Sequence, residues 1–297
     1  MTQRVTSVLG RTGSSELRAD ETLIQDLTDD DVEAVLSNGE LTVVGRLAAA
    51  SNASFFGEVA LDGVRLPCIY KPVAGERPLW DFPDGTLAGR ERAARLVSEA
   101  GGWHVVPPTV LRDGRFGPGM CQRWIEVSSP FALVDVVDTA FDEEGWIAVL
   151  QAEDAAGRDV LLVHADDERL RDMAVFDAVI NNADRKGGHV LAGSPDADSP
   201  DHQAHRLWGC DHGVSFHVDT KLRTILWGWA GEPLRPRDLQ SLAELEAALE
   251  NGLHDQLSAE LTEREVTALR ARIDVLGSRR EMPVPDGSWP AIPWPAF

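Results

Sequence analysis

Along residues 40–73 apolar and polar positions alternate with a period of two: ELTVVGRLA, then SFFGEVAL, then VRLPCIYKP, the last two joined at Asp62 and Gly63. This period sends successive side chains to opposite faces of a strand, and Asp-Gly makes a tight hairpin turn, so the stretch predicts a small antiparallel sheet. Ahead of it, Thr28 is placed to cap a helix through DDDVEAVL that stops near Gly39, with three Asp near the positive end of its dipole. Behind it, TLAGRERAARLVSEA at 86–100 has helical spacing and is closed by Gly101 and Gly102. Two more strands are expected around the Arg-Asp-Gly turn at 112–114.

Past Trp124 the balance shifts. FALVDVVDTAF predicts a helix, WIAVLQA and DVLLVHA a hairpin, and DERLRDMAVFDAVI a strongly apolar helix. An acidic loop at 194–204 leads to the strand HRLWGC. Two helices follow, near 237–250 and 262–276, the second opening on a capping box at Thr262 and Glu265. Residues 1–27 show no apolar period and read as a flexible arm. The last fifteen residues hold five Pro with Trp289 and Trp294, a composition expected to lie as an extended strap on its own domain. The expected organisation is an arm at 1–27, a sheet-rich lobe at 28–124, a mostly helical lobe at 125–282 and a Pro/Trp-rich tail at 283–297.

Composition narrows the function. The 297 residues are enough to bury roughly 75% of the unfolded surface. A net charge of −21, from 49 acidic against 28 basic residues, disfavours attraction to nucleic acid or anionic lipid. Cys68, Cys121 and Cys210 are odd in number and far apart, which suits a reducing cytoplasm, and no apolar run approaches the roughly 18 residues of a membrane span. Only Lys71, Lys186 and Lys221 are lysines. Lys71 ends a run that reads as a buried strand, and a buried ammonium needs an anionic partner. Glu91, one turn from Leu87 on the following helix, is the best candidate.

The chemistry concentrates in NNADRKGGHVL at 181–191 and WGCDHGVSFH at 208–217. Phosphoryl transfer from a Mg-nucleotide needs a carboxylate near the attacking hydroxyl and groups that hold the metal. Asp184 suits the first role, and Arg185 or Lys186 suits the steadying of transferring charge. Asp211, beside a Gly, suits a hard cation. The small residues before Phe55, among them Ser51, Asn52, Ala53 and Ser54, suit a loop whose amides approach phosphate.

Taken in order, these segments resemble the phosphatidylinositol 3- and 4-kinase-like branch of atypical kinases, closest to the type II phosphatidylinositol 4-kinases and related bacterial proteins. SNASFF resembles the phosphate loop, IYKP the lysine strand, RERAA the segment that carries the lysine's partner, and PGMCQRW the strand entering the hinge. AVINNADRKGGHVL resembles the catalytic loop and DHGVSFH the metal-binding turn. The resemblance implies an α+β bilobal protein-kinase-like fold. It also implies ATP with Mg²⁺ or Mn²⁺, Lys71 on the α and β phosphates, Glu91 holding Lys71, and adenine at Gln122, Arg123 and Trp124. Asp184 would be the catalytic Asp and Asp211 a metal ligand. His189 stands where the family has Asn, and its imidazole suits softer divalent metals. No Cys-rich palmitoylation segment is present. The expected activity is therefore a cytoplasmic transfer of the γ-phosphate to a protein or small polar hydroxyl. A nucleotide-binding pseudokinase, a phosphoinositide kinase and an AMP transferase are the alternatives.

Overall fold

The computed structural model describes residues 27–47, 52–127, 133–154, 156–193 and 206–297. The arm at 1–26, Ser51 and the loop at 194–205 lie outside them. Helix α1 (Asp29–Asn38) starts at the expected cap: Thr28 Oγ1 accepts from the Asp31 amide at 3.2 Å, and the Thr28 amide donates to the Asp31 carboxylate at 3.0 Å. Strands β1 (Glu40–Arg46), β2 (Phe55–Leu61) and β3 (Val64–Pro72) form a meander. Asp62 and Gly63 both take positive φ at the β2–β3 turn, as a two-residue hairpin loop requires. After helix α2 (Leu87–Ala100), strands β4 (Thr109–Gly114) and β5 (Gly117–Arg123) complete an antiparallel sheet in the order β1-β2-β3-β5-β4. The β4–β5 turn sits at 115–116, just beyond the expected 112–114, because Arg112 and Asp113 still pair with Gly119 and Pro118.

The segment expected as a helix at FALVDVVDTAF is instead strand β6 (Val134–Asp138) over its described part. It pairs with β8 (Asp159–Ala165), which also pairs with β7 (Trp146–Glu153), so the expected hairpin is the edge of a three-stranded sheet. The physical reason is local: three Val in four residues disfavour the helix through restricted χ1 and favour a pleated surface, and Val134 alone needs burial. Helix α3 (Glu168–Ile180) and strands β9 (Val190–Gly193) and β10 (Arg206–Gly209) follow. Helices α4 (Pro236–Ala248), α5 (His254–Ser258) and α6 (Glu263–Arg279) close the fold. The C-terminal part is thus mixed rather than mostly helical. The whole chain is an α+β protein built on antiparallel sheets.

Two apolar clusters organise it. A small one lies between α1 and the five-stranded sheet, around Val32, Leu36, Val59, Leu66 and Cys121. A large one gathers α3, α4 and α6 with Trp229, and α2 gives it Ala93, Ala94 and Val97. Helix α2 therefore anchors in the C-terminal core while facing the sheet that carries Lys71. No described helix is long and apolar enough to cross a membrane.

Candidate active site

Lys71 lies in the last turn of pleat of β3, and its neighbour strand β5 pairs it with Met120. Its Nζ is 2.8 Å from Glu91 Oε1 and also contacts the Asp211 carboxylate. Burial opposes the ammonium, but Asp211 and Glu91 outweigh it and hold the lysine's pKa above its ordinary value. Asp211 is held below the usual carboxylate range, chiefly by the Lys71 charge beside it. Glu91 is buried, and its second oxygen accepts from the His212 amide at 2.9 Å. One carboxylate on α2 thereby fixes both the lysine and the Asp-His-Gly turn, although Lys71, Glu91 and Asp211 are far apart in sequence. Asp211 adopts a left-handed backbone (φ 58°), which turns its side chain, about half open, toward the cleft.

The loop that carries Asp184 begins where α3 ends. Asn181 takes the left-handed C-cap conformation, and its side-chain amide donates to the His217 and Asp219 carbonyls. Asn182 accepts from the Asp184 amide at 3.0 Å and donates to Asp177 at 2.9 Å, so two consecutive Asn side chains set the loop's path. Asp184 lies 3.2 Å from Lys186 Nζ and 3.5 Å from an Arg223 guanidinium nitrogen.

Arg185 is placed differently from the expectation of a cation at the transferring phosphate. It is fully buried, clamped by both Asp177 oxygens at 2.8 Å, bonded to His212 Nε2 at 2.8 Å, and donates to the His189 and Cys210 carbonyls. It does not line the cleft; it ties α3, the Asp184 loop and the Asp211 turn together. Lys186 does line it.

The cleft measures about 500 Å³. Lys71, Glu91, Asp184, Lys186, His189 and Asp211 line one cavity, together with Asn52, Ala53 and Ser54. The Ala53 amide is already used by the Gly75 carbonyl at 3.0 Å, and Asn52 Oδ1 accepts from the Arg77 amide at 2.9 Å. Those contacts pin the small-residue loop to the segment after β3. Ser51 lies outside the described residues. Gln122, Arg123 and Trp124 are not brought to the cavity: the Gln122 amide group donates to Thr109 Oγ1, and the Arg123 and Trp124 amides donate to the Pro108 and Pro67 carbonyls. From that strand it is Met120 that reaches the lining.

His189 Nε2 lies 3.3 Å from Asp211 Oδ2. Burial pushes its pKa below the ordinary histidine value, so the ring is a neutral nitrogen donor, and its Nδ1 is buried with no partner among the described residues. Asp211 and His189 are the two side chains that would hold a divalent cation, with ligand oxygens supplying the rest, since no cluster of three such ligands occurs among the described residues. The residues not foreseen are Asp177, Asn182, His212, Arg223 and the pair Pro295 and Phe297, which also line the cavity. The doubled Asn at 181–182 was a readable sign; Asp177 lies on the helix just before it, and the rest come from distant segments.

A buried Lys–Glu pair, two aspartates and a small-residue loop around one cavity define a class: an α+β protein with a charged cleft between its sheet and its helical core. The chain is 50% identical over 277 residues to Protein Rv2133c of Mycobacterium tuberculosis, across 90% of this chain and 96% of that protein. It belongs to the family of that protein. No family model matches the chain. Among solved structures, the crystal structure of a Helicobacter pylori proinflammatory kinase, CtkA, aligns with a TM-score of 0.41 and 9% identity over 83% of this chain and 94% of that one. A likeness so distant carries no weight for the site.

Proposed function

We propose that the chain is an ATP-dependent phosphotransferase of the kinase-like, bilobal kind, acting on a hydroxyl acceptor. The carrying observation is that Lys71, paired with Glu91 and touching Asp211, shares one cavity with Asp184. On this reading Lys71 meets the α and β phosphates, held by Glu91 so that burial does not cost it its charge. Asp211 and His189 would hold the divalent cation, which would supply positive charge to offset the charge of the phosphates. Because Asp211 is also Lys71's partner, a cation held by Asp211 would compete with that contact.

Asp184 accepts the proton of the acceptor hydroxyl. The acceptor oxygen bonds to the γ-phosphorus as the bond to the β-bridging oxygen breaks, and ADP leaves with that electron pair. Lys186, at the mouth beside Asp184, supplies the cation there, while Arg185 is a positioning residue that acts through His212 and Asp177.

The test is labelled ATP with Mg²⁺ or Mn²⁺ and the full chain, with Asp184→Asn as control. Transfer to water, to the chain itself or to an added acceptor that falls roughly 10²- to 10⁴-fold in the variant supports the reading. Equal residual rates in both proteins would overturn it. The imidazole at position 189 favours a second reading, a nucleotide-binding pseudokinase. Tight ATP binding without turnover under either metal would single that out.

A further inference from the structure

The Pro- and Trp-rich segment does not merely cover the surface; it enters the cleft. The Ala291 carbonyl accepts from the Thr224 amide at 3.0 Å and from Trp227 Nε1 at 2.9 Å, and Ile292 and Ala296 pack against the large core. The Ala296 carbonyl then accepts from the Gly187 amide at 2.8 Å, one residue past Lys186. Phe297 lies against Gly187 so closely that a Cβ there would strike its ring. Pro295 and Phe297 join Asp184, Lys186 and His189 in lining the cavity.

We infer that residues 291–297 are the acceptor-side wall of the site, and that Phe297 restricts the acceptor to a small hydroxylated molecule, excluding polypeptide hydroxyls. This rests on the phosphotransferase reading above. The wall stands at the Asp184 end because its contacts are to Gly187 and its neighbours, whereas the Asn52–Ser54 loop and Met120 lie with Lys71. A hydroxyl on a polypeptide brings backbone to both sides of itself, and the strap already occupies the rim along the Asp184 loop. A cavity of about 500 Å³ that must also admit nucleotide leaves a compact space over Asp184. On this inference the ring, half exposed and seated against Gly187, also stands between solvent and the carboxylate, which would limit wasteful transfer to water.

The experiment compares wild type with Phe297→Ala, Phe297→Leu and Gly187→Ala in the full chain. It measures ATP affinity, phosphate release to water, and labelling of dephosphorylated casein as a flexible polypeptide probe. Phe297→Ala is expected to keep ATP affinity within about threefold, to raise release to water about fivefold or more, and to label casein where wild type does not. Gly187→Ala, which displaces the ring from the other side, should give the same gains, and Phe297→Leu an intermediate one. Wild-type rates toward both probes in Phe297→Ala overturn the inference, as does casein labelling by wild type at the variant's rate. Loss of all turnover in Phe297→Ala with Phe297→Leu unimpaired also overturns it, by making the ring a packing element only. Absence of ATP binding by wild type instead removes the phosphotransferase reading itself, and is seen before any variant is compared.

Discussion

A lysine held by two carboxylates leaves two unpaired charges when it is removed. In Lys71→Met the Glu91 and Asp211 charges remain without their cation, so the reading predicts a drop in ATP affinity of about tenfold or more, roughly 1.4 kcal/mol, measurable by calorimetry. His164 gives an independent check at a residue remote from Asp211. It is buried, its Nδ1 donates to the Ala165 carbonyl at 2.9 Å, and its Nε2 accepts from the Gly228 amide at 3.1 Å, which fixes the neutral tautomer. Burial lowers its pKa from 6.5, so between the folded and unfolded values the unfolded chain binds the extra proton. Its contribution to stability is complete above about pH 6.5 and is lost as pH falls through the folded value, with a slope of at most about 1.4 kcal/mol per pH unit. Denaturant titrations between pH 7.5 and pH 5.5, about two units, should show that slope reduced in His164→Gln; an unchanged slope would assign it elsewhere.

Elements are held by junctions that can be cut one at a time. Arg185 and Asp177 join α3 to the Asp184 loop inside a fully buried pair, and Arg185→Met leaves Asp177 uncompensated. That substitution should cost about 3–5 kcal/mol in denaturant unfolding, well beyond a surface change. Thr262 caps α6 through a reciprocal box with Glu265, whose carboxylate also holds the buried Arg90 of α2. Thr262→Ala should therefore cost at least the roughly 1 kcal/mol of a lost cap, read as a lowered denaturation midpoint. The junctions explain what was legible in the chain. The cap residues Thr28 and Thr262 and the Asp62-Gly63 turn act within a few residues, so local chemistry announced them. The strand at 134–138 was misread although its valines favour a pleated surface, because Asp135 and Asp138 at a three-residue spacing imitate a helical stripe and the pairing that decides it lies across a sheet, at 160–164. Lys71, Glu91, Asp184 and Asp211 were legible as types in order. The inward turn of Arg185 was not, since it depends on Asp177 and His212 arriving from other elements.

For the whole molecule, the cleft is bordered by chain segments that meet at Lys221. Its ammonium pairs with Asp81, on the connection between the five-stranded sheet and α2, and lies 4.6 Å from the ring centre of Trp80 and 4.7 Å from that of Trp289 on the strap. Among the described residues this is the place where the sheet side, the segment after Asp211 and the strap come together on one side chain. Lys221→Met should make Trp80 and Trp289 more accessible to acrylamide quenching and expose 283–290 to protease, while the helical far-ultraviolet signal stays unchanged. Equal quenching in both proteins would show that the rings hold one another without the cation. Each ring face contributes an attraction of about 0.5–2 kcal/mol to the cation. Because that ammonium is itself buried and ion-paired with Asp81, one charge couples the strap to the sheet side, and its removal frees both partners together.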